Sequence, residues 1–138
     1  MNALYFKHTL NFHNPGGTSR GVLSHKESWF IMIYSASKTG IGECSLIKGL
    51  SPDPENNFEQ TLKKVCENIS DGFEALSAKL NLYPSILFGL ETAFRSFESS
   101  DPLILFPSAF TQNADSVPIN GLIWMGRKNF MITQIKEK

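Results

Sequence analysis

Ser28-Trp29-Phe30-Ile31-Met32-Ile33-Tyr34, then Ser35 to Gly40, then Ile41-Gly42-Glu43-Cys44-Ser45-Leu46, is the stretch that decides the fold. Residues 28–34 are apolar on both alternating faces, which suits a central strand covered on two sides. Ser37-Lys38-Thr39-Gly40 makes a tight connection, and Ile41 to Leu46 reads as the third strand of an antiparallel meander. The first strand lies upstream. Leu4, Phe6, His8, Leu10 and Phe12 fall on every second position, with Tyr5, Lys7, Thr9 and Asn11 between them, as in a strand half buried on its apolar face. Asn14-Pro15-Gly16-Gly17-Thr18-Ser19-Arg20-Gly21 interrupts that alternation and reads as a mobile loop joining the first two strands.

Downstream the period changes. In Ser51-Pro52-Asp53-Pro54-Glu55, Asp53 is placed to accept the first free amides of a helix and Pro54 suits the first helical position. Phe58, Leu62, Val65, Ile69, Phe73, Leu76 and Leu80 then recur every three or four residues, with Gly72 a point of breakage or kinking. Pro84 opens a second helix whose buried face is Leu87, Leu90, Phe94 and Phe97, ended by Ser99-Ser100-Asp101-Pro102. Three strands followed by helices predict an α+β layer pair.

Residues 107–117 are polar and irregular, as in a linker. Val117 to Met125 is a short apolar run of the kind found in a strand buried on both faces, followed by Gly126 and a helix-compatible tail. A lone strand and helix over 118–138 leave the strand's edges unpaired, so the chain reads as cut off.

With 138 residues, 41% of them apolar, the chain has room for one compact domain and a short piece of a second. A complete eight-fold β/α barrel, at about 250 residues, does not fit. Thirteen basic residues balance thirteen acidic ones. No long-range field therefore draws in nucleic acid or an anionic membrane. There is neither an apolar span nor a signal-like start, and the expected location is the cytoplasm. Cys44 and Cys66 show no metal-ligand or disulfide-framework spacing and read as buried free thiols. His8 sits on the apolar side of the first strand and reads as a core residue, while His13 and His25 flank the loop without a partner at metal spacing. Gly16-Gly17 lacks the pattern of a phosphate loop.

Four segments in order, Gly16-Gly17-Thr18-Ser19-Arg20-Gly21, Gly40-Ile41-Gly42-Glu43-Cys44, Phe88-Gly89-Leu90-Glu91-Thr92-Ala93 and Pro118-Ile119-Asn120-Gly121-Leu122-Ile123-Trp124-Met125-Gly126, resemble the amino-terminal part of enolase-superfamily enzymes. Within the superfamily the pattern is most similar to the o-succinylbenzoate synthase group of menaquinone biosynthesis, and it covers essentially the whole chain. The resemblance implies an enolase-type capping domain over 1–106, a linker over 107–117, and over 118–138 the first strand and helix of an incomplete β/α barrel.

The function so implied is a lyase reaction, the dehydration of a succinyl hydroxycyclohexadiene carboxylate. Loss of a proton beside a carboxylate gives an enediolate, which a divalent cation, Mg2+, stabilises while a lysine takes the proton. In that family the carboxylates and lysines belong to the second and later barrel strands. The resemblance thus implies no catalytic and no metal-binding residue among these 138, and an isolated chain without activity. Lys136-Glu137-Lys138 imitates the family's Lys-x-Lys pair but lies on a helix after the first barrel strand, where it reads as a solvated terminus with cations favourably placed.

What the cap contributes, on this resemblance, is contact with a small carboxylate substrate and exclusion of water. Arg20 and Gly21 fall in a first loop near the substrate's distal end, Ile47 and Leu50 in a second, and Trp124 at the end of the first barrel strand, where the catalytic face of such barrels lies. Arg20 is suited to grip the succinyl carboxylate with two parallel hydrogen bonds; an exposed loop cation is the plainer reading, as a packed indole is for Trp124. Glu43 reads either as a brace between cap and barrel or as an exposed strand-end carboxylate. Three alternatives stay open: the cap of a racemase or epimerase, that of a muconate-type cycloisomerase, or a non-catalytic binding module on the same fold. Homo-oligomerisation is open too.

Overall fold

The computed structural model describes residues 1–18 and 21–137. Three strands form one antiparallel sheet in the order β1-β2-β3: β1 (Asn2–Thr18), β2 (Gly21–Tyr34) and β3 (Thr39–Ser45). Four helices follow, α1 (Phe58–Glu67), α2 (Phe73–Ser77), α3 (Pro84–Glu98) and α4 (Lys128–Glu137), with short 3-10 turns at Glu55–Asn57 and Ile69–Asp71. The α+β meander-then-helices architecture is the one expected. The helical run breaks at Gly72, whose φ of 84° lies where a side chain is strained.

Two compact units make up the chain: Met1–Thr9 with Glu27–Pro107, and Leu10–Lys26 with the residues from Ser108 onward. In the first unit the core lies between one face of the sheet and the helices. Trp29, Ile31, Ile33 and Cys44 from the sheet are buried with Phe58, Leu62, Val65, Ile69, Leu76, Leu80, Ile86, Leu90 and Ala93. The register pairs Trp29 with Cys44, Ile31 with Gly42 and Ile33 with Gly40. The two glycines therefore stand on the core face of β3, where the lack of a side chain lets α3 approach to backbone contact. A Cβ at Gly42 would collide with the Gly89 carbonyl oxygen, one at Gly40 with the backbone of Ala93 and Phe97, and one at Gly89 with Cys44 Sγ. Ser96, fully buried on α3, accepts the Ile41 N–H at 2.9 Å and donates to the Pro102 carbonyl at 2.7 Å, so this amide of an edge strand finds an acceptor inside the fold.

The structure corrects three expectations for the first strand. Its core face is the other one: Ala3 and Tyr5 pack against the core, while Leu4, Phe6, His8 and Leu10 are exposed on the opposite side. Both faces of this sheet carry apolar residues, as the stacked pair Phe6 and Phe30 shows (5.3 Å between centroids), but the helices of the first unit pack on the side bearing Trp29, Ile31 and Ile33. His8 is accordingly a surface residue. The interruption expected at Asn14–Gly21 is mostly strand, for β1 runs to Thr18 and β2 resumes at Gly21. As an edge strand, β1 tolerates Pro15, whose missing N–H a central strand would need.

In the second unit, residues 118–127 have no regular secondary structure, although a strand was expected there. A strand exists through its ladder, and no neighbouring strand pairs with this run among the described residues. Gln134 of α4 takes up part of that role: its Oε1 accepts the Trp124 N–H at 2.9 Å and its Nε2 donates to the Trp124 carbonyl at 3.1 Å.

Candidate functional site

The sequence-derived candidates fall into two groups that follow the two units. Ile47 and Leu50 belong to the first. After β3 the chain makes a compact turn in which the Ile47 carbonyl accepts the N–H of both Leu50 and Ser51 at 2.9 Å, and Ser51 Oγ accepts the Ile47 N–H at 2.9 Å. Gly49, with φ of 74°, supplies the left-handed residue the turn requires. Ile47 is half-buried, and Leu50 is 48% exposed, a large apolar side chain held out by an ordered turn.

Just after that turn stands a residue the sequence placed differently. Asp53 was expected to cap the helix that follows it, yet neither the 3-10 turn at Glu55 nor α1 has a side-chain cap. Its carboxylate instead reaches Ser85, accepting the backbone N–H at 2.9 Å and the Oγ–H at 2.8 Å. Nothing local in the sequence signals this, because the two residues are 32 positions apart.

Gly21 and Trp124 belong to the second unit. Gly21 is exposed with φ of 132°, a conformation that L side chains rarely adopt. Arg20 lies outside the described residues. Trp124 is 43% exposed. A Cβ added to Gly16 would stand 3.1 Å from its ring, and one at Gly17 2.8 Å from the Met125 carbonyl oxygen. The glycine pair of the hairpin tip thus lies against the run from Trp124 to Met125. Gln134, buried and missed by the sequence reading, holds the Trp124 backbone of that run through both its amide N–H and its carbonyl.

Two of the motifs that carry the resemblance turn out to be structural. The segment Gly40–Cys44 and the segment Phe88–Ala93 meet face to face through Gly42, Gly89 and Cys44, and Glu91 pairs with Arg95 on the helix surface at 2.7 Å. Glu43 accepts a 2.7 Å hydrogen bond from Ser28 Oγ on the neighbouring strand. Burial pushes the Cys44 thiol up to about 12 and the Cys66 thiol up to about 11, so neither is a nucleophile at neutral pH. Among the described residues no three of His, Cys, Asp and Glu gather in a way that could hold a metal ion, and no helix is long and apolar enough to cross a membrane.

No family model matches the chain. The o-succinylbenzoate synthase of Desulfotalea psychrophila is 32% identical across all of this chain and 46% of its own length. The crystal structure of MenC from Desulfotalea psychrophila LSv54 superposes with a TM-score of 0.74 at 26% identity, over 99% of this chain and 45% of that one. At 16% identity, the o-succinylbenzoate synthase of Thermosynechococcus elongatus BP-1, which is complexed with Mg in its active site, shares the fold (TM-score 0.58, 72% of this chain, 31% of that one). So does an enolase family member from Agrobacterium tumefaciens with homology to dipeptide epimerases, at 14% identity (TM-score 0.69, 98% of this chain, 42% of that one). The chain thus spans less than half the length of these relatives.

Proposed function

We propose that this chain, a member of the enolase superfamily related to the o-succinylbenzoate synthases, is the capping and substrate-specificity part of an o-succinylbenzoate-synthase-like lyase of menaquinone biosynthesis. On this reading residues 1–106 are the cap, 107–117 a linker, and 118–138 the beginning of a β/α barrel. The whole reaction is the dehydration of a succinyl hydroxycyclohexadiene carboxylate in the cytoplasm. The observation that carries the proposal is the 32% identity to a synthase along the entire chain. The fold alone does not choose the reaction, since an epimerase-like protein shares it.

The chain's own contribution is binding and shielding. Arg20 pairs with the succinyl carboxylate, a guanidinium being matched to a carboxylate in a two-pronged geometry. Gly21 leaves backbone room beside it. Ile47 and Leu50 offer apolar contact and displace water, which strengthens electrostatic interactions at the reacting carbons. Trp124, at the end of the first barrel strand on this reading, is a further substrate contact. The cation of this family's chemistry stabilises enediolate charge when bound, but the described residues do not fit such an ion.

A chimera tests the proposal. Residues 1–138 replace the matching segment of the Desulfotalea psychrophila synthase, and dehydration is followed with Mg2+ present. Turnover by the chimera, with none by the 138-residue chain alone, is the expected result. A folded chimera that binds Mg2+ but does not turn over refutes the reading.

A further inference from the structure

We propose that Asp53 is the positioning residue of the turn that carries Ile47 and Leu50, fixing it by capping α3 from outside the helix; this rests on the reading of that turn as substrate-facing. The need arises at the start of α3. Its N-cap residue, Tyr83, makes no side-chain cap bond, and Pro84 at the first helical position has no N–H to satisfy. The Ser85 N–H is then the first amide of the helix that needs an acceptor, and the usual local acceptor, the side-chain oxygen of a Ser, Thr, Asp or Asn at the N-cap, is missing.

Asp53 meets the need with a carboxylate that is only 4% exposed, one oxygen on the Ser85 amide and the other on its hydroxyl. A negative charge there is also favoured by the dipole of a helix that runs to Glu98. The same two hydrogen bonds tie down the carboxyl-terminal side of the Ile47–Ser51 turn. Its amino-terminal side is continuous with β3, so the turn is held between the sheet and the helix. On the solvent side Lys48 stands 3.8 Å from Glu55, and the Gly49 N–H lies 3.4 Å from the same carboxylate. Such exposed contacts restrain a turn weakly. The position of Leu50 therefore depends on Asp53, a residue that touches no substrate.

Amide exchange on the 138-residue chain tests this directly. In Asp53→Ala the amides of Leu50, Ser51 and Ser85 should exchange at least about 10-fold faster, while those of Ile31, Leu62 and Leu90 keep their protection. Asp53→Asn, which retains an acceptor oxygen, should restore most of the difference. Unchanged protection at Leu50 and Ser51, or a uniform loss through β2 and α3 that Asp53→Asn does not rescue, overturns the proposal. In the active chimera, Asp53→Ala should raise KM about 10-fold while lowering kcat less, again with rescue by Asn. An opened turn with KM unchanged also overturns it. Should the chimera be inactive, the functional reading falls while the exchange experiment still decides whether Asp53 holds the turn.

Discussion

The carbonyl oxygen of Gly89 on α3 occupies the space that a side chain at Gly42 on β3 would need. Cys44 Sγ stands in the same relation to Gly89. Sheet and helix therefore meet with no spare volume at either glycine: at Gly42 the obstacle is backbone, and at Gly89 it is a short buried side chain with the backbone of Glu43 and Cys44 beside it, none of which can swing aside as the end of a long side chain can.

Gly42→Ala is expected to destabilise the protein by about 1–3 kcal/mol, the usual range for overpacking a closed interface. Gly89→Ala should cost a similar amount. The double variant should fall short of the sum, because both changes push the same two elements apart. Urea unfolding of the four proteins measures this; additive losses would mean that the two glycines act separately.

The buried thiols set an alkaline limit. Burial, the largest cause for both, raises Cys44 to about 12 and Cys66 to about 11, against an ordinary thiol near 9. An unfolded chain loses these protons first, so it binds fewer protons than the folded one between pH 9 and about 12, and stability falls as pH rises through that window. Below pH 9 the contribution is complete. Unfolding midpoints from pH 7 to 11 should decline above 9 in the native protein, and the decline should weaken in Cys44→Ala. At pH 8 a thiol reagent should label neither cysteine until denaturant is added.

The two faces of the sheet should respond differently to truncation. Ile31→Ala removes a fully buried side chain and is expected to cost about 2–5 kcal/mol. Phe6→Ala, at a position 40% exposed and stacked on Phe30, should cost about 0.5–1.5 kcal/mol. Denaturation midpoints decide the order; a larger loss at Phe6 would place the core on the wrong side of β1.

Much of the fold was legible from local patterns. Leu4–Phe12, Ser28–Tyr34 and Ile41–Leu46 carry the period of strands, although β1 and β2 extend through much of the stretch that reads as a loop; Pro84 announces α3, and Gly72 breaks the preceding run where its backbone demands it. The motif Phe88–Ala93 was legible as a resemblance before its physical meaning was visible, namely a helix face cut back at Gly89 to admit Cys44. What could not be read was a choice between equals. β1 alternates, but with apolar or aromatic residues on both sides, Leu4 and Phe6 against Ala3 and Tyr5, and the alternation cannot tell which side the helices will cover. Of the candidate site, the turn at Ile47–Leu50 was placed by resemblance and found to be ordered, whereas Asp53 beside it was assigned to the wrong helix.

By itself, then, the sequence determined element types and their order, because periodicity, proline and glycine act over a few residues at a time. Tertiary structure decided which sheet face became core, which helix Asp53 caps, and how Gln134 serves the Trp124 backbone. Each of these is a polar or apolar group finding its partner across space: burial and hydrogen-bond satisfaction are set by what the folded chain brings near, and no local window of residues contains that information.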